Sequence, residues 1–227
     1  MTGLPNLMTD RAATPTRCGP PRRPPLLVLV EGRRAATFLG RMAMLWRSLD
    51  PRLPDLAALA AAGRLALLPI GGGGADDLLR RGAALETLRL PRVHLYDRDV
   101  EPETTRRRAA IAQLNAQPNC LARLTAKRSL ANYLHPEALV AAGLPAIEID
   151  DDLDVAARLA QARRAAVSHA ASWNALAPRS RRRLVSRMKR RLHDDALPRM
   201  TIAWARQRDP AGDLPRWLRE LDELLRW

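Results

Sequence analysis

Cysteine, lysine and aromatic side chains are scarce in this chain of 227 residues. Its two cysteines, Cys18 and Cys120, are too few for a disulfide framework or a four-cysteine zinc site. No apolar run approaches the roughly 18–20 residues of a membrane-spanning helix. Arg11, Arg17, Arg22 and Arg23 interrupt the start, where a secretory signal would need an unbroken apolar segment, so no signal is expected. With aromatics at 4%, the core must be built from alanine, leucine and valine. These absences lead to the expectation of a soluble, cytoplasmic protein with no membrane partner.

What the chain has in excess is arginine. Lys plus Arg number 38 against 24 Asp plus Glu, a formal charge of +14, and only Lys127 and Lys189 are lysines. Arginine and alanine in place of lysine is the residue signature of a GC-rich genome. The positive balance points to a polyanionic partner, because cationic side chains on phosphates release condensed counterions.

Residues 1–25 are rich in proline (Pro5, Pro15, Pro20, Pro21, Pro24, Pro25) with no apolar period, and read as a flexible leader. Leu26–Val30 is a continuous apolar run of strand length, as in a strand buried on both faces of a parallel sheet. Phe38, Leu39, Met42, Leu45, Trp46 and Leu49 recur at helical spacing. A helical stretch near 56–62 precedes a second strand over 65–70, which runs into Gly71–Gly74 and a short helix around 76–81. A third strand, Val93–Tyr96, is followed by Asp97-Arg98-Asp99, a helix over 103–115 and a fourth strand over 120–124. This alternation predicts an α/β fold with a mostly parallel sheet and helices on both faces, occupying 26–150.

Beyond it, 151–227 reads as a basic helical extension. A long alanine-rich helix is expected to about Ser172, with Asp150–Asp154 as its N-cap cluster. A second helix, about 179–193, turns Leu184, Val185, Met188 and Leu192 inward. Its outer face carries Arg181, Arg182, Arg183, Arg187, Lys189, Arg190 and Arg191, the candidate nucleic-acid surface. A last helix has Pro215 in its first turn and Leu218, Leu221, Leu224 and Leu225 on one face.

Functional groups of open parallel sheets gather at the carboxyl ends of the strands. Glu31 ends the first strand, and Asp97 and Asp99 follow the third. Such oxygen ligands suit Mg²⁺ or Mn²⁺, which could polarise a phosphodiester. Gly71–Gly74 is no Walker loop, because Ala75-Asp76-Asp77 follows where Lys-Ser/Thr is needed, and it lacks the dinucleotide-binding spacing. The tetraglycine instead permits close backbone approach beside the acids. A phosphoacceptor, receiver-like domain with Asp97 as acceptor is disfavoured by the single acid, Glu31, after the first strand.

The order strand–Glu-Gly, strand–glycine loop, strand–Asp-x-Asp resembles the Toprim domain of topoisomerases, primases and OLD-family nucleases. The segment Leu124-Thr125-Ala126-Lys127-Arg128-Ser129-Leu130-Ala131-Asn132-Tyr133-Leu134, continuing into Pro136-Glu137-Ala138, resembles the Lys-Arg-Glu-Ile-Glu-Asn-Tyr-Leu…Pro-Glu-Ala stretch of OLD nucleases. The similarity spans about 26–160. It implies a Toprim-like, Rossmann-like fold and Mg²⁺- or Mn²⁺-dependent cleavage of DNA. Glu31, Asp97 and Asp99 would be the metal-binding catalytic carboxylates and Lys127 a cation beside the phosphate. A separate ATPase subunit is an implied partner, since this chain encodes none. Three positions depart from the pattern: Ala35, Ser129 and Ala131 stand where the family usually has carboxylates. The alternative is therefore a Toprim-fold protein with a decayed site that binds DNA or a protein partner through its basic helices.

Overall fold

A computed structural model describes residues 25–167 and 172–226. Nearly all of the expected leader, with Cys18, His169 and Trp227, lies outside the described residues.

The four strands form where the apolar runs lie: β1 Leu26–Val30, β2 Leu65–Pro69, β3 Arg92–Tyr96 and β4 Cys120–Leu124. They make one all-parallel sheet in the order β2-β1-β3-β4. β1 and β3 are central, and all five residues of each are buried, which is why β1 carries no polar side chain. Between the strands run α1 (Arg33–Leu49), α2 (Leu56–Ala61), α3 (Ala75–Glu86) and α4 (Glu103–Asn115). After the sheet come a 3₁₀ turn (Leu130–Tyr133), α5 (Pro136–Ala141), α6 (Val155–Ala165), α7 (Pro178–Arg191), a π turn (Leu192–Ala196), α8 (Ile202–Arg208) and α9 (Asp213–Arg226).

Strand alternation sorts the sheet's side chains into two layers. Leu78 of α3 and Leu114 of α4 pack with Tyr96 and Ala122 on one face. On the other, Leu26, Val28, Val30, Val93 and Leu95 share a single core with Phe38, Met42 and Trp46 of α1. That same core contains Leu192, Leu197, Ala205, Trp217, Leu218 and Leu221. The helices after residue 150 follow the sheet in the chain, yet their apolar faces are part of its main core.

α6 ends at Ala165, short of the expected 172. Its buried face is spent after Val155, Ala156, Leu159 and Ala160, and Val167 is 58% exposed, so alanine propensity has no packing to extend it. Asp154 caps this helix, its Oδ1 accepting from the Ala157 amide at 2.9 Å. α7 turns Met188 fully inward and Leu184 and Val185 partly so, as the pattern indicates.

Candidate functional site

The carboxyl edge of the sheet opens into a cleft of about 530 Å³. Glu31, from the end of β1, and Asp97 and Asp99, from the turn after β3, all line it. Ala35, Ser129 and Ala131 line the same cleft. The positions expected to be acidic thus face the acids that remain, with neutral side chains.

At the centre lies a residue that sequence reasoning missed. Arg107 of α4 has a side chain only 5% exposed. Its Nη1 donates to Glu31 Oε1 at 2.5 Å and to the Asp97 carbonyl at 2.6 Å. Nη2 donates to the Gly73 carbonyl at 3.0 Å and lies 3.8 Å from Asp99 Oδ2, and Nε reaches Glu103 Oε1 at 3.4 Å. The glycine loop therefore supplies a backbone oxygen to the guanidinium. A Cβ at Gly73 would stand 2.4 Å from Asp77 Oδ2, so the loop's close approach requires glycine there. The available signal was periodicity: Arg107 falls in the buried stripe Thr104, Arg107, Ala110, Leu114 of α4.

The remaining acids are also engaged. Asp97 Oδ1 accepts from the Leu130 amide at 3.0 Å, and Glu31 Oε1 accepts from the Asp97 amide at 3.2 Å. Burial first, and the neighbouring Glu31 second, push the Asp97 carboxyl up to about 7. Asp99 sits in the left-handed region, φ +65, which aspartate tolerates, and lies 4.0 Å from Arg128. Arg128 is also 3.6 Å from Asp154 Oδ2, another residue of the cleft wall.

Arg34 of α1 and Lys189 of α7 complete the lining, and neither makes an ion pair among the described residues. Beside them, His193 is pulled down to about 4 by burial and by Arg34, so it is neutral at physiological pH.

Lys127 is not among the residues lining this cleft. Its ammonium pairs with Asp151 and lies 5.5 Å from the centre of the Tyr133 ring. Tyr133 in turn donates to Asp213 of α9, which also accepts from the Ala126 amide at 3.0 Å. The two lysines thus differ from the sequence expectation: Lys189 lines the cleft with the acids, and Lys127 ties the segment after β4 to the loop before α6.

The seven basic residues expected on α7 do not form one face. Arg181, Arg182 and Lys189 border a groove with Trp173. Arg187, Arg190 and Arg191 border another with Arg163 of α6. Arg191 is partly engaged already, through Asp195 at 2.7 Å and the Ala142 carbonyl at 2.9 Å. Arg183 lies exposed on the same helix.

A divalent cation at Glu31 and Asp97 would meet the Arg107 guanidinium there. Among the described residues, no three His, Cys, Asp or Glu side chains are arranged to hold a metal ion. As arranged, these residues do not fit a hard cation. They form a network closed by arginine, with two cations at its edge that have no acid partner among the described residues.

By fold the protein is a Rossmann-like α/β protein whose polar cleft opens at the carboxyl edge of a four-stranded parallel sheet. Among the described residues, no helix is long and apolar enough to cross a membrane. The chain matches no protein-family model, no curated protein and no solved structure.

Proposed function

We propose that this chain is a Toprim-type, OLD-like DNA-binding protein whose cleft receives a backbone phosphate without a catalytic metal. One observation carries this reading. Arg107 and Arg128 engage Glu31, Asp99 and Asp154, and among the described residues Arg34 and Lys189 at the cleft wall have no acid partner. The cleft's four carboxylates equal its four cations in number, so the positive charge is local: an anion is met at the wall, by these two cations. The arginines of α7 extend the positive surface beyond it, and contacts of this kind hold DNA without reading its sequence.

The test is a charge reversal at both wall cations, Arg34→Glu with Lys189→Glu. Binding to labelled DNA is followed by fluorescence anisotropy over a salt series. Each phosphate contact adds about −0.9 to the slope of log affinity against log salt, so the double variant should lose roughly two units of slope. An unchanged slope would refute the reading.

A second reading, the metal-dependent nuclease with Glu31, Asp97 and Asp99 at the site, is favoured by the raised Asp97 carboxyl. Burial first and the Glu31 charge second disfavour the ionised Asp97, and a bound cation would offset both. It requires Arg107 to leave its place, and a separate ATPase subunit belongs to this reading alone.

A further inference from the structure

Trp173 stands apart from the other described tryptophans. Trp46 and Trp217 are buried in the main core, and Trp204 stacks on His135 with ring centres 5.4 Å apart. Trp173 is only half-buried, resting on that core, and it lines an open groove of about 550 Å³ with Arg181, Arg182, Val185 and Lys189.

Two features of the groove define what fits it. The first is its chemistry. One indole is flanked by three cations, and among the described residues no acidic side chain borders the groove. A base can stack on an indole while guanidinium and ammonium groups hold its phosphates, a pairing that any base satisfies. The second is continuity: Lys189 borders this groove and the acid-lined cleft alike. On α7, Arg182 and Lys189 are seven positions apart, so they lie along one side of the helix about 10 Å from each other. A strand tracking that side would pass from the indole to the cleft along a line of positive charge.

A duplex cannot use this arrangement fully, because its bases are already stacked and paired. From the juxtaposition of Trp173 with Arg181, Arg182 and Lys189 we infer that the groove binds an unpaired DNA strand. One base lies on the Trp173 indole, and the backbone leads past Lys189 into the cleft. The inference rests on the DNA-binding reading above and names its substrate class.

The experiment compares the full chain with Trp173→Ala and Trp173→Phe, each titrated with a labelled single-stranded oligonucleotide and a duplex of the same length. Stacking of one base corresponds to about 5–150-fold in affinity. Trp173→Ala should weaken the single strand by that factor, Trp173→Phe should restore most of it, and duplex affinity should not change. Equal weakening of single strand and duplex, or no weakening of either, overturns the inference while the DNA-binding reading stands. Absence of binding to both forms by the unaltered chain overturns the two together.

Discussion

Replacing Arg107 with methionine probes the site most sharply. The guanidinium makes hydrogen bonds to Glu31, to the carbonyls of Asp97 and Gly73, and to Glu103, with its side chain almost wholly enclosed. Methionine matches the length of the stem but removes the guanidinium from all four oxygens, leaving Glu31 only the Asp97 amide and Glu103 the Ala75 amide. Breaking a buried charge pair from one side costs about 3–5 kcal/mol. At about 2–4 °C per kcal/mol for a domain of this size, the melting temperature should fall by roughly 6–20 °C. The vacated space would then be bordered by the oxygens the guanidinium leaves, the Glu31 and Glu103 carboxylates and the Asp97 and Gly73 carbonyls, so a divalent cation becomes the natural substitute. Mn²⁺ supplied at about a hundred times its dissociation constant would return ~2.7 kcal/mol, or about 5–11 °C. The assay is thermal melting of Arg107→Met and of the unaltered chain, with and without Mn²⁺. Adding Glu31→Gln to Arg107→Met should abolish the Mn²⁺ gain. A melting temperature within about 2 °C of the unaltered chain, or equal Mn²⁺ stabilisation of both proteins, would refute the account.

Other outcomes follow from the same geometry. Asp97 is raised in the folded chain, so it binds its proton more tightly folded than unfolded, and its ionisation removes stability as pH rises from about 4 to about 7. Asp97→Asn keeps an acceptor for the Leu130 amide and should melt higher than the unaltered chain at pH 8, with the difference fading toward pH 4. His94, fully buried with Nδ1 on the Tyr96 hydroxyl at 2.7 Å, is held down to about 4 by burial and Arg92, the opposite sense. Stability should therefore be lost at this residue as pH falls from about 6.5 to about 4, and His94→Gln should flatten that part of the melting-temperature profile. Lys127→Met should leave DNA affinity unchanged in anisotropy, and because Asp151 is 59% exposed, it should alter stability by no more than about 1 kcal/mol. A large loss of affinity would return Lys127 to the phosphate.

β1 and β2 were legible because each is a short, mostly apolar run closed by a polar or glycine-rich stretch, as Leu26–Val30 is by Glu31 and Gly32. β3 and β4, with Arg92, His94 and Arg123 in them, were legible from their place in the strand–helix alternation. Glu31 and Asp97 were legible as neighbours because a parallel sheet delivers its carboxyl ends to one edge. The order β2-β1-β3-β4 was not, since strand pairing depends on how the whole chain packs. Arg107 escaped notice because it has no local signature: in sequence it is one of three consecutive arginines on α4, and its main partner, Glu31, is 76 residues away. The same distance effect misled for Lys127, whose Asp151 partner lies 24 positions on and outside the motif that drew attention to it. Trp173 showed only its apolar side in sequence, since the cations that surround it sit on the next helix.

The nuclease and binding readings part at one bench measurement. Supercoiled plasmid is incubated with the purified chain and Mg²⁺ or Mn²⁺ and resolved on a gel, beside Asp97→Ala. A site closed by arginine predicts retarded but uncut plasmid with both proteins. Nicked or linear product from the unaltered chain, lost in Asp97→Ala, would contradict the account and return Glu31, Asp97 and Asp99 to the role of metal ligands.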